Sequence, residues 1–222
     1  MPRRLLFLLF AVAVLAASCG REEGPVAPTP DPVPAGAHSP AEAARLVEWA
    51  WKNRNVEVLN RILTADYAFQ FANGDSAGNA YHDAPFVFDD ELRSSTGIFL
   101  GTTDHGPASE ILLDFDRTLT DLSDGRPGKN PQWHRSIRTK VNLKVTVDRG
   151  NGPEVNEVGG YVLFYIVRGD SASLSPGQLA AGGQEPTRWW IDRWEDETLP
   201  PGGTSAHPAQ NRTWGGIKAL YR

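Results

Sequence analysis

The chain has 222 residues, of which 40% are hydrophobic and seven are tryptophan, with a formal charge of −5 and a single cysteine. A chain of this length can rest on an apolar core, and one cysteine excludes an internal disulfide. Excess acid without basic clusters argues against nucleic acid as a partner, because phosphate recognition needs lysine and arginine to neutralise the backbone.

At the N-terminus Arg3 and Arg4 precede an apolar run from Leu5 to Ala17, which ends on small residues before Cys19. A charged end, a short apolar stretch and small residues make a secretory signal. The run is too short to span a bilayer, which takes about 20 apolar residues. Ala16-Ala17-Ser18-Cys19 resembles the lipobox of bacterial lipoproteins, with Ala16 where leucine is commoner. The resemblance implies that residues 1–18 are a signal peptide and that Cys19 is acylated and becomes the new N-terminus. The protein would then sit in the cell envelope, facing away from the cytoplasm and held to the membrane by its lipid. Several acyl chains anchor firmly where one holds weakly. Gly20, in place of aspartate, favours the outer membrane in a Gram-negative cell.

Residues 19–38 contain Pro25, Pro28, Pro30, Pro32 and Pro34. Alternating proline resists helix and sheet and makes an extended, semi-stiff tether. Order is expected from Ser39, where Ser39-Pro40-Ala41-Glu42 combines a capping serine, proline at the first helical position and glutamate three residues on. Leu46, Val47, Ala50 and Trp51 recur at helical spacing up to Asn53. Asn55 caps a second helix over Val56 to Leu63. The alternation of Tyr67, Phe69 and Phe71 predicts a half-buried strand over Asp66 to Ala72. Asp89 is expected to cap a third helix over Asp90 to Leu100. Further strands are predicted over Ser109–Leu119, Lys140–Val147, Gly159–Arg168 and Arg188–Glu195, with loops between them; residues 213–221 have no predicted element. Helices first and hairpin-spaced strands afterwards predict an α+β domain, with N-terminal helices packed on a strongly curved, mainly antiparallel sheet.

The junction Leu63-Thr64-Ala65-Asp66-Tyr67-Ala68-Phe69 after two helices, and the late strand Arg188-Trp189-Trp190-Ile191-Asp192-Arg193-Trp194-Glu195-Asp196, resemble the nuclear transport factor 2-like superfamily. That superfamily includes SnoaL-like and ketosteroid isomerase-like proteins. The resemblance covers residues 39–197, with insertions near 73–88, 120–136 and 169–187, and leaves 198–222 as a C-terminal extension. It implies a bent sheet wrapped by helices into a cone whose mouth binds small hydrophobic molecules or partner proteins in different members. No position matches a catalytic motif of the family.

Ile111-Leu112-Leu113-Asp114-Phe115-Asp116 resembles the first motif of haloacid dehalogenase-like phosphatases, in which the first aspartate attacks phosphorus and the second is the acid/base. Such enzymes need a parallel sheet with crossover helices, and the stretch up to Asp170 predicts none; an edge strand with exposed aspartates is the expectation. His38, His82, His105, His134 and His207 show no paired ligand spacing, so no metal or other cofactor is implied.

On the last strand, strict alternation puts Trp189, Ile191 and Arg193 on one face and Trp190, Asp192 and Trp194 on the other. Tyr67, Phe69, His134, Trp190 and Asp192 are therefore the candidate pocket, an aromatic wall with a carboxylate for a mostly apolar ligand. The expected role is a non-catalytic binding or interaction module, with a homodimer through the sheet as a further possibility. The alternative is a SnoaL-like isomerase, cyclase or hydratase using Asp192, His134, Tyr67 or Asp66 on the wall.

Overall fold

The computed structural model describes residues 32–81, 85–148, 150, 152–174, 185–199 and 210–221. The expected signal peptide, Cys19, the tether up to residue 31, His82 and His207 lie outside the described residues. Among the described residues, no helix is long and apolar enough to cross a membrane.

Helix α1 spans Pro40–Lys52 and starts as its local sequence dictates. The Ser39 hydroxyl accepts from the Glu42 N–H at 3.2 Å, and the Glu42 carboxylate reaches back to the His38 N–H at 2.7 Å. It ends where Arg54 takes a left-handed φ of 52°. The Arg54 and Asn55 N–H groups then bond back to the carbonyls of Trp51 and Ala50 and close the last turn. Asn55 caps α2, Val56–Ile62, by accepting from the Val58 N–H. Strand β1 is Leu63–Gln70; a 3₁₀ segment Ser76–Tyr81 and a short strand β2, Phe86–Val87, follow.

Helix α3 runs Phe88–Leu100. Asp89 is not its cap: the chain enters from β2 in extended form, and the Asp90 carboxylate accepts from the Val87 N–H at 3.3 Å. The remaining strands are β3 Glu110–Phe115, β4 Asp121–Ser123, β5 His134–Asp148, β6 Pro153–Arg168, β7 Trp189–Leu199 and β8 Gln210–Asn211. The last element, helix α4, is Trp214–Ala219.

The strands form one open, curled sheet in the order β2-β1-β7-β6-β5-β3, with β4 on β5 and β8 on β6. Every described pairing is antiparallel except β1–β7 and β6–β8. The domain is α+β, with helices on one face of the sheet. In the long β5–β6 hairpin, Val141, Leu143, Val145 and Val147 all point into the core, as their alternation predicts. Both strands start several residues before their predicted limits, because their polar leading ends pair with β4 and β8.

Two features depart from the sequence reading. First, β7 does not alternate strictly. The β6–β7 register steps from Tyr165↔Arg193 to Ile166↔Ile191, which leaves Asp192 as the extra residue of a bulge. Trp194 and Ile191 therefore share the core, at 1% and 0% exposure, while Trp190 packs on the other side of the sheet with Val167 and Ala172. Second, the segment read as a C-terminal extension supplies part of the core. Trp214, Ile217 and Tyr221 are buried in that core: Trp214 packs on Trp194 of β7 and Trp51 of α1, and Tyr221 lies against Gly97 of α3. The core of the compact unit Pro32–Arg222 therefore includes residues beyond 197.

Candidate functional site

The inner face of the sheet carries a lateral row of large side chains. The register aligns Phe86, Phe69, Trp194, Phe164 and Ile137 across five strands. Neighbouring rings meet edge to face at 4.9–5.6 Å, the geometry that ring quadrupoles favour. The helix α4 lies over this row. Trp214 stands perpendicular to Trp194 at 4.3 Å and to Trp51 of α1 at 4.9 Å, so one indole ties the sheet to the first helix. Gly215 is required here: a Cβ on it would lie 2.5 Å from the Phe71 ring.

Four residues from Trp214, on the same helical face, the Lys218 side chain enters the interior and is wholly buried. Its ammonium lies 2.7 Å from Glu91 Oε2, 3.8 Å from the Phe69 ring centre and 3.7 Å from that of Trp194. Glu91, on α3, is buried as well. It accepts from the Tyr67 hydroxyl at 3.1 Å and from the Ser95 hydroxyl at 3.2 Å. A second buried carboxylate, Asp196, accepts from the Thr198 hydroxyl at 2.5 Å, the Thr198 N–H at 2.9 Å and the Gly215 N–H at 2.7 Å. The Trp214 N–H bonds the Thr198 hydroxyl oxygen, so β7 holds the first turn of α4.

Burial shifts the proton affinities of Lys218, Asp196 and Tyr67. Loss of water pushes Lys218 below the ordinary lysine value, while Glu91 and Asp196 pull it back up. Burial raises Asp196, against the bonds from Thr198 and Gly215. Tyr67 is raised well above its ordinary value by burial and by the neighbouring Glu91 carboxylate. Folding therefore favours the neutral phenol: its stabilisation is intact below pH 10 and is lost as pH rises from there towards the native-state pKa. In a spectrophotometric titration we expect Tyr67 to ionise only with unfolding, and the delayed absorbance step to vanish in Tyr67→Phe.

Of the five candidate pocket residues, only Tyr67 and Phe69 meet in this interior. The other three are on the outer side of the sheet, where the β5–β6–β7 register aligns His134, Val167 and Trp190 in a row beside the bulged Asp192. Asp192 is paired with Arg126 at 2.9 Å and with Lys129 at 3.4 Å. Arg126 also forks onto Asp124 and covers the Tyr165 ring at 3.9 Å. Burial raises the Asp124 carboxyl and the Arg126 guanidinium more than offsets it, leaving it below the usual range. Burial and Lys129 push His134 below the ordinary histidine value. The aromatic wall with one carboxylate is thus divided between two faces, because the bulge at Asp192 breaks the alternation that joined Trp190 to Trp194. Asp66 is exposed.

Glu91 and Lys218 were absent from the candidates. The signal for Glu91 is an acid within the buried stripe of α3, four residues before Ser95 and seven before Ile98. The signal for Lys218 is its place between Trp214 and Tyr221 at helical spacing.

Asp114 and Asp116 sit on and just after β3, an edge strand antiparallel to β5 with no helix between the two among the described residues. Asp114 is exposed and pairs with Lys52 at 3.0 Å, and Asp116 accepts from the Lys140 N–H at 2.8 Å. This is not the crossover architecture that a phosphatase of the dehalogenase type requires. Asp114→Asn is expected to change stability by less than about 0.5 kcal/mol in denaturant unfolding, and neither form should hydrolyse a chromogenic phosphate with Mg²⁺. Among the described residues, no three acidic, histidine or cysteine side chains are grouped to hold a metal ion.

No family model and no curated protein matches the chain. Solved structures that resemble it include a nuclear transport factor 2-like superfamily protein from Salmonella enterica serovar Typhimurium, at 11% identity and a TM-score of 0.43, covering 74% of this chain and 90% of that one. A ketosteroid isomerase-like protein from Erwinia carotovora atroseptica matches at 13% identity and 0.41, covering 70% and 89%. A conserved protein from Planctomyces limnophilus matches at 16% identity and 0.43, covering 72% and 92%.

Proposed function

We propose that this chain is an exported, lipid-anchored protein whose nuclear transport factor 2-like domain is a non-catalytic small-molecule-binding or interaction module. The observation that carries the non-catalytic part is the filled interior. Trp214, Ile217 and Lys218 occupy the inner face of the sheet where a reaction chamber would lie, and the Tyr67 hydroxyl is engaged by Glu91. The cone reading is supported by the chain's own layout, with two helices before β1, a third before β3, and all three on one face of a curled sheet. Anchoring is supported by the Arg3–Cys19 sequence alone. A lipidated Cys19 and a proline tether would hold the domain off the bilayer, free to meet a soluble ligand, a second copy or another envelope protein.

One observation favours the SnoaL-like enzyme reading: the Asp196 carboxyl and the Tyr67 phenol are buried with raised proton affinities, and Glu91 is buried beside Tyr67. An enzyme would have to expose that set to its substrate. Metabolic labelling tests the anchor: palmitate should tag the wild type and not Cys19→Ala. An untagged wild type, or equal tagging of both, removes it.

A further inference from the structure

We propose that the interior of the domain is a site for an arylalkylammonium ion, and that Trp214 and Lys218 of α4 occupy it as an intramolecular copy of that ligand. The inference rests on reading the domain as a binding module and names the chemistry that module recognises.

Three observations carry it. A buried ammonium has lost its hydration shell, and what replaces the water is a cation-recognition set: one carboxylate at 2.7 Å and two aromatic faces within 3.8 Å. The walls of that set belong to β1, α3 and β7, and they are held without α4. Ser95 and Tyr67 fix the Glu91 carboxylate, and the lateral row fixes Phe69 and Trp194. The occupant, by contrast, comes from a six-residue helix containing Gly215 and Gly216, with little helical stability of its own. It presents an indole and an ammonium four residues apart on one face, which is the pattern of an aromatic ring joined to an amine by a short aliphatic chain.

A buried lysine–glutamate pair is also a poor device for stability alone, since apolar residues of similar volume often serve as well or better. As a cation cage the same pair has a use. When α4 withdraws, the carboxylate and the two rings are left in place for an external amine. A neutral ligand of the same shape would leave the Glu91 carboxylate buried without a counter-charge, held only by the Tyr67 and Ser95 hydroxyls.

The test uses the compact unit from Pro32 onward, with phenethylammonium as the probe and 2-phenylethanol as its neutral counterpart. In Trp214→Ala/Lys218→Ala, which empties the site, phenethylammonium should raise the melting temperature with the logarithm of its concentration. The alcohol should bind at least about tenfold more weakly. Adding Glu91→Gln should erase the difference. If the emptied variant does not fold by itself, phenethylammonium should restore its folded circular dichroism and the alcohol should not. In the wild type, phenethylammonium should speed amide exchange at Ile217 and Lys218 as it displaces α4. Equal effects of amine and alcohol would overturn the cation site while leaving a binding module. No effect of either on the emptied variant would overturn both. Unchanged wild-type exchange at amine concentrations that saturate the emptied variant would overturn the displaceable helix.

Discussion

Trp214→Ala is expected to cost the domain about 3–5 kcal/mol, the range for deleting a fully buried tryptophan. The indole is 0% exposed and touches three elements at once: Trp51 on α1, Trp194 on β7 and Phe115 at the end of β3. Its removal leaves a void bounded by rings that other close contacts already fix, so collapse into the space is limited. Urea unfolding of the unit from Pro32 onward, followed by circular dichroism, measures the loss directly. Were the segment after 197 an appendage, the change would stay within about 0.5 kcal/mol.

Glu91→Gln is expected to cost a similar amount, about 3–5 kcal/mol near neutral pH, because it leaves the Lys218 ammonium buried without its counter-charge. The pH dependence gives the mechanism. Glu91 raises the Lys218 pKa, so its loss depresses that pKa further below the ordinary 10.5. Between the lowered native value and 10.5 the unfolded chain binds the extra proton, so the lysine's contribution to stability rises with pH in that window. Wild-type Lys218 already lies below 10.5, so the deficit of Glu91→Gln should shrink with pH from the variant's native value up to the wild-type one and stay level from there to 10.5. Adding Lys218→Met, which removes the charge and keeps most of the volume, should return much of the lost stability at pH 7 and flatten the pH dependence. A deficit that does not change with pH, or a double variant no better than Glu91→Gln, would mean that the lysine is not held charged in the interior.

The sequence was most informative where local signals act alone. Ser39-Pro40-Ala41-Glu42 starts α1 through contacts within four residues, and Val141 to Val147 alternate because one face of a regular hairpin is dry. It was least informative where a distant contact decides. One extra residue at Asp192 reverses which side of the sheet the next side chain meets, and nothing around Trp190-Ile191-Asp192 announces it. Helix α4 has two glycines in its first three residues, so propensity argues against a helix; packing on Phe71 and capture by Asp196 and Thr198 make one. The candidate site was half legible for the same reason. Tyr67 and Phe69 belong to a strand that alternates as expected. Their partners Glu91 and Lys218 lie at helical spacing among buried residues, but their charge reads as solvent-facing until the helices carrying them are docked.

The closed interior is tested most directly by the reactivity of Lys218. Native protein is treated briefly with a lysine-acylating reagent and digested, and labelling is read by mass spectrometry. Lys218 should remain unmodified while the exposed Lys52 and Lys140 react, and should react once the chain is denatured. Labelling of native Lys218 as fast as Lys140 would contradict the account.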